Sequence, residues 1–218
     1  MYEEAVAIPA GEVTLHGDLL LPTGTADVVV FAHGSGSSRH SPRNRAVAAA
    51  LQREGLGTLL MDLLTEDEES RDVNTAEYRF DIELLGARVV AAVDWLAGHE
   101  PARGLAPHLF GASTGAAAAL VAAAARPEPV RSVVSRGGRA DLAGDALDGV
   151  RAPVLLVVGG QDTTVLDLNE QAVRRLPEAS RVHVVPWATH LFEEPGALEE
   201  VAQRAVAWFR EPGRAPGT

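Results

Sequence analysis

Cysteine is absent from the 218 residues. No disulfide framework, thiolate zinc site or cysteine nucleophile is available, and redox compartment is left open. Lysine is absent too, so all 19 basic residues are arginine. Set against 30 acidic residues they leave a formal net charge of −11. That balance argues against nucleic acid as a partner, because phosphate binding needs clustered cations. No apolar run approaches the roughly 20 residues of a membrane span. The alanine-rich block 116–125 is too short and too weakly apolar. The first residues lack the basic start and apolar core of a signal peptide. The expectation is a soluble cytoplasmic protein with no membrane partner. A chain of this length buries roughly 70% of its unfolded surface and needs no covalent or metal staple.

What is present is a regular alternation. Ala5–Ile8 and Val13–Leu21 read as a strand pair turning near Gly11. Val28–Ala32 is a continuous apolar run, the mark of a strand covered on both faces. Ser41-Pro42 opens a helix to about Glu54. Gly57–Asp62 is the next buried strand. Residues 63–79 read as polar and irregular, with the acidic run Glu66-Asp67-Glu68-Glu69 as a solvated loop. Helical spacing returns from Phe80 to Ala97. Strands follow at Pro107–Ala112, Val130–Ser135, Pro153–Val158 and Arg181–Val185. Helices follow at Thr114–Ala125, Val165–Leu176 and about Pro195 to Phe209. Alternating strands and helices predict a mostly parallel central sheet with helices on both faces. One domain over 1–210 and a frayed tail at 211–218 are expected. Ligands of such sheets bind beyond the carboxyl ends of the strands.

Ser113 lies at such an end, in Phe-Gly-Ala-Ser-Thr-Gly. Gly-x-Ser-x-Gly at a strand-to-helix turn exposes a hydroxyl at a helix N-terminus. A serine hydroxyl needs an adjacent base. Of seven histidines, His16, His99, His108 and His183 fall in strands or at a helix end and read as structural. His33 and His40 lie near the first parallel strand, and His33 reads as a loop brace. His190, after the last strand and before the last helix, is the candidate base. Asp162, ending Val-Val-Gly-Gly-Gln-Asp, is the candidate orienting carboxylate. Its rival role is a helix N-cap, and Asp141 and Asp167 are the reserve acids. An oxyanion hole calls for the Thr114 N–H and a donor from the loop His33-Gly34-Ser35-Gly36-Ser37-Ser38. Ser35 N–H is the assignment and Gly34 the other possibility. That loop lacks the spacing of a phosphate-binding loop.

The stretches FAHGSGSS, GASTG, VVGGQD and WATHLFEEPGALEEVA together resemble the α/β-hydrolase fold, and within it the dienelactone hydrolase-like group. The resemblance runs from about residue 10 to 210. It implies the order Ser113, Asp162, His190 and a two-step acyl transfer with no cofactor and no metal. Similar stretches occur in hydrolase domains that can be joined to phosphoribosyltransferase domains. Dienelactone hydrolases proper use a cysteine nucleophile. Ser113 in a chain without cysteine points instead to a serine esterase acting on small carboxylic esters. Thioester, lactone or amide cleavage would use the same residues. A non-catalytic module that keeps the fold is the alternative of another class. Only about fifteen residues, 136–150, separate two strands where many such enzymes insert a lid. No substantial cap is expected, which predicts an open cleft and a preference for short acyl chains. Arg136 and Arg139 in that segment could clamp a substrate carboxylate or pair with the acidic surface.

Overall fold

The computed structural model describes residues 1–213. Strands β1 (Tyr2–Ala10) and β2 (Val13–Leu21) form the antiparallel pair that their alternation predicts. Strand and helix then alternate: β3 (Asp27–Ala32), α1 (Pro42–Arg53), β4 (Gly57–Met61), α2 (Glu66–Thr75), α3 (Ile82–Gly98) and β5 (Ala106–Ala112). They continue as α4 (Thr114–Ala125), β6 (Val133–Arg136), β7 (Val154–Gly159), α5 (Thr163–Ala172), β8 (Arg181–Val185) and α6 (Ala197–Arg210). All eight strands join one sheet in the order β1-β2-β4-β3-β5-β6-β7-β8. β3 to β8 run parallel, and β2 pairs β4 antiparallel.

The apolar run in β3 serves two cores at once. Val28 and Val30 face the layer holding Leu85, Val89 and Leu120 of α3 and α4. Val29 and Phe31 face the other layer, with Val47 and Leu51 of α1 and Val201, Trp208 and Phe209 of α6. Period-two alternation of side chains in a strand sandwiched by helices requires this. Helix α4 is alanine-rich because its first turns are buried: Ala116, Ala117, Ala118 and Ala119 are fully enclosed. Among the described residues no helix is long and apolar enough to cross a membrane.

Two expectations need correction. The acidic run is not a loop but the first turn of α2. Thr65 caps it reciprocally: Glu68 N–H donates to Thr65 Oγ1 (3.3 Å) and Thr65 N–H to Glu68 Oε2 (2.8 Å). Four acids in the first turn complement the positive end of the helix dipole. This helix has no apolar stripe, so periodicity could not reveal it. The Thr-x-x-Glu string was the available signal. The strand expected at 130–135 is shorter and shifted, to Val133–Arg136.

The segment after β6 is a 3-10 stretch, Ala140–Gly149, with a break at Gly144. It tucks Ala140, Ala143 and Leu147 into the α3–α4 core, so it does not rise over the sheet as a cap. Residues 211–213 follow α6 as a turn, and the remainder of the expected tail lies outside the described residues.

The turn between β5 and α4 is the tightest point of the fold. Ser113 sits there at φ 51°, ψ −122°, a region that L-residues rarely adopt. A Cβ at Gly115 would press on the carbonyl oxygens of Ala32 and His33, and one at Gly111 on the backbone of Ala116, each inside the 3.0 Å that real Cβ atoms keep. Gly115→Ala is expected to cost about 3 kcal/mol, lowering the melting temperature by roughly 6–12 °C in a chain of this size. Gly98→Ala, with open space around it, is expected to be neutral or to stabilise by up to about 1 kcal/mol. Thermal unfolding of both variants checks the pair; equal melting temperatures would refute the steric account.

Candidate active site

Ser113 is bolted to the end of β6 on both sides. Its N–H donates to Arg136 O (3.2 Å), and its own carbonyl accepts from Arg139 N–H (3.1 Å). It occupies the N-cap position of α4, yet its side chain makes no capping hydrogen bond. A serine there usually accepts a hydrogen bond from a first-turn N–H of the helix. The Ser113 hydroxyl is therefore not consumed by the helix it precedes.

Two further loops at the same edge are pressed together. After β7, Gly160 N–H donates to Val185 O (2.8 Å) and Gln161 N–H to Ala188 O (3.0 Å). A Cβ at Gly159 or Gly160 would collide with the backbone of Ala188 or Pro186. Only glycines permit this approach, and it puts Asp162 beside His190. Asp162 Oδ2 lies 2.6 Å from His190 Nδ1. Asp162 precedes α5 but makes no capping bond to it, so its carboxylate serves the imidazole. The His190 loop is braced by Thr189 N–H donating to Glu194 Oε1 (3.0 Å) and by buried Phe192, held at φ 56°. A Cβ on Gly137, the residue after Arg136, would lie 3.6 Å from His190 Cε1. The imidazole thus stands over the strand end that anchors Ser113. Of the two contacts a Ser–His–Asp relay needs, the structure shows the Asp162–His190 contact. The described hydrogen bonds include none at the Ser113 hydroxyl. Such contacts are often long without substrate and tighten on binding.

Gly34 packs on the serine: its Cβ position is 3.1 Å from Ser113 Cβ. Ser35 N–H donates to Thr114 Oγ1 (3.0 Å), and the two hydroxyls are also 3.0 Å apart. The Thr114 N–H, in the first turn of α4, has no intrahelical acceptor. His33 is a brace, as its position suggests. Leu63 N–H donates to its Nε2 (2.9 Å), which leaves Nδ1–H to donate to Gly34 O (2.9 Å). A cleft of about 120 Å³ runs from this loop to α2, between Thr114, Leu63, Val73 and Arg79.

The remaining candidates separate cleanly. Arg139 is held by Asp141 through two bonds (2.8 and 2.7 Å), which occupies both the arginine fork and that reserve acid. Asp167 is exposed on α5. Arg136 is buried, against the notion of a surface arginine. His99 and His183 pair with Glu4 and Glu200. His108 forms a look-alike: Nδ1 is 2.7 Å from Ser132 Oγ and Nε2 is 3.2 Å from Asp27 Oδ1. Ser132 is 0% exposed, and this trio sits at the opposite, amino-terminal edge of the sheet. No substrate can reach it, so contact order alone does not make an active site. Among the described residues no group of three or more His, Asp or Glu is placed to hold a metal ion.

Comparison with known proteins agrees with this architecture. A family model described as alpha/beta hydrolase fold matches residues 27–187. The chain belongs to the α/β-hydrolase fold family. Within that family it is dienelactone hydrolase-like. A crystal structure of a dienelactone hydrolase from Anabaena variabilis is 56% identical, with a TM-score of 0.94, over 96% of this chain and 97% of that one. The structure of Est1E from Butyrivibrio proteoclasticus shares the fold at 16% identity, TM-score 0.79, over 95% of this chain and 98% of that one. Curated relatives in Mycobacterium tuberculosis are 53% identical over 99% of this chain and carry the provisional name of phosphoribosyl transferase. The chain spans 48% of their length, about half.

Burial holds the His33 and His108 imidazoles below the ordinary histidine pKa, outweighing the acceptors that would raise them. The folded protein therefore binds fewer protons than the unfolded chain just below pH 6.5. Stability is full above about pH 6.5 and falls as pH drops from there towards the lowered folded values, with a slope of up to about 1.4 kcal/mol per pH unit for each group. Unfolding free energies measured between pH 7.5 and 5 should show this fall. His33→Gln, which cannot titrate, should make the slope shallower. A flat profile in the unsubstituted protein would contradict the assignment.

Proposed function

We infer that the protein is a serine hydrolase of small carboxylic esters, working through an acyl-enzyme within one domain over residues 1–210. The observation that carries the reading is the 2.6 Å contact from Asp162 to His190 Nδ1, on the same sheet edge as the uncommitted Ser113 hydroxyl. A carboxylate at Nδ1 keeps the proton there and leaves the Nε2 lone pair free to act as base. Ser113 Oγ attacks the acyl carbon as Nε2 takes its proton. The imidazolium, stabilised by ionised Asp162, returns that proton to the leaving alkoxide. Water activated by Nε2 then attacks the acyl-serine, and the acid departs. No step calls on a cofactor.

The oxyanion is received by Thr114 N–H and by the Ser35 or Gly34 amide. At rest Ser35 N–H is engaged by Thr114 Oγ1. A neutral ester carbonyl competes weakly with that hydroxyl, whereas a tetrahedral oxyanion accepts much more strongly. The site thus favours the transition state over the bound ester. The Anabaena protein's name suggests a lactone, but the chain has no cysteine, and Ser113 supports ordinary esters more directly. The phosphoribosyl transferase name describes proteins twice as long. This reading concerns the half that the chain matches.

Ser113→Ala is expected to lower kcat/KM for 4-nitrophenyl acetate by about 10⁴-fold or more, leaving a remnant from the oxyanion hole. Asp162→Asn should lower it by roughly 10⁴-fold through the wrong tautomer. A fluorophosphonate probe should label the unsubstituted protein and not Ser113→Ala. Full esterase activity in Ser113→Ala sinks the mechanism. The uncapped cleft adds a second expectation: 4-nitrophenyl acetate or butyrate should be cleaved faster than the dodecanoate, and the reverse order would show an apolar acyl tunnel.

A further inference from the structure

Asn169, on α5, is fully buried. Its side-chain amide donates to Gly138 O (2.8 Å) and, one turn back in its own helix, to Val165 O (2.7 Å). Only the –NH2 end can serve two carbonyl oxygens, so these partners fix which way the amide is turned. Its Oδ1 is then sealed from solvent without a partner. A buried amide half-used in this way is a poor device for stability. An apolar side chain of the same shape would carry no unmet acceptor. The half that is used leads to the active site.

Gly138 O and Arg139 N–H belong to one planar peptide unit. That N–H donates to Ser113 O (3.1 Å). Ser113 O in turn shares a peptide unit with Thr114 N–H, the donor assigned to the oxyanion. Three dipoles therefore run head to tail: the Asn169 amide, the 138–139 peptide and the 113–114 peptide. Ala116 N–H also donates to Ser113 O (3.1 Å), so the last unit is held twice. The middle unit has little slack. A Cβ at Gly138 would collide with Ser135 Oγ and Ala116 Cβ, so the main chain there fills the space of a side chain. Among the described residues Asn169 alone serves the oxygen of that unit. Helix α5 follows directly on Asp162, whose carbonyl accepts Leu166 N–H (2.9 Å). One helix thus carries both the acid's anchor and the brace of the nucleophile turn.

We propose that Asn169 is a positioning residue for the oxyanion hole, which orients and polarises Thr114 N–H through the 138–139 and 113–114 peptides. Each bond in such a chain strengthens the next by about 10–30%. One oxyanion donor is worth about 10²–10³-fold in kcat, so that fraction of it is roughly two- to eightfold. The catalytic consequence rests on the hydrolase reading above; the hydrogen-bond chain does not.

Asn169→Leu keeps the shape and removes the donor. Its melting temperature should move little, because the bond lost at Gly138 O is offset by removal of the unmet Oδ1. Its kcat for 4-nitrophenyl acetate should fall roughly two- to eightfold with KM unchanged, since acylation and deacylation pass through the same oxyanion. Inhibition by phenylboronic acid should weaken by the same factor. There Ser113 Oγ adds to boron, its proton passes to His190, and the boronate sets an anionic oxygen in the hole. Asn169→Asp is the rescue: burial holds its carboxyl neutral, and the O–H can donate as the amide does. Its kcat should exceed that of Asn169→Leu, and the ratio of the two should fall as rising pH ionises the carboxyl. A merely structural brace would shift the melting temperature and leave that ratio and the boronate inhibition alone. Unchanged kcat and boronate inhibition in folded Asn169→Leu overturn the relay. If neither variant folds, the unsubstituted protein carries the test. NMR couplings across the bonds from Asn169 Nδ2 to Gly138 and from Arg139 N to Ser113 should both be present, and the absence of either overturns the relay. If no ester is cleaved, yet both couplings are present and the Thr114 amide proton moves upfield in Asn169→Leu, the chain of bonds stands and the hydrolase reading falls.

Discussion

The backbone of Ser113 is the constraint on which the other arrangements depend. A residue at φ 51°, ψ −122° carries strain on the order of 1–3 kcal/mol. It persists only because its neighbours leave no alternative. The two flanking glycines let α4 start directly against the carbonyls of Ala32 and His33, and both backbone polar groups of Ser113 are tied to residues 136 and 139. The strain aims the side chain out of the helix it precedes. An ordinary N-cap serine would turn its oxygen inward. The same contacts tie three strands, β3, β5 and β6, to one point, so the sheet must be complete before the hydroxyl has its place.

The second arm of the site is built by close approach rather than by strain. Gly159 and Gly160 let the loop after β7 lie flat on the loop after β8, backbone to backbone. Asp162 and His190 come together because their main chains do, and the 2.6 Å contact follows with little side-chain freedom to lose. The trio of His108, Ser132 and Asp27 clarifies what such a contact is worth. It has hydrogen-bond distances of the same kind, but its serine and imidazole are closed to solvent at the wrong edge. There the same chemistry pins β3, β5 and the entry to β6 together. Position relative to the strand ends separates the two constellations.

Most of the sheet was legible in the sequence because its signals are local. A five-residue apolar run such as Val28–Ala32, or an alternating one such as Val13–Leu21, reports its own burial. The placement of Ser113, Asp162 and His190 at one edge of the sheet was legible because each follows such a run and because Gly-x-Ser-x-Gly needs its glycines for a reason visible in the string. Helix α2 was not legible by periodicity: its stability comes from the Thr65–Glu68 box and from the ion pair to Arg88, twenty residues away. The resting bond from Ser35 N–H to Thr114 Oγ1 joins residues far apart in the chain and leaves no trace in either neighbourhood. Arg136 was legible as a candidate only. That it lacks an acid, while Arg139 three residues on has Asp141, is a property of the tertiary arrangement.

Those two arginines show how one short segment divides its labour. Arg139 is half-exposed and answered by Asp141 within its own turn, so it contributes little beyond fixing that turn. Arg136 points the other way, into a space where burial strengthens any charge interaction. A positive charge held there without a paired acid raises the local potential at the carboxyl end of β6, in a molecule whose net charge is −11. The surrounding acidic surface would repel an anionic ligand at long range, and solvent ions screen that repulsion beyond about a Debye length. Beside the buried guanidinium the screening is weaker and its own charge prevails. The potential at that strand end is therefore set at short range, by one guanidinium, rather than by the field of the whole protein.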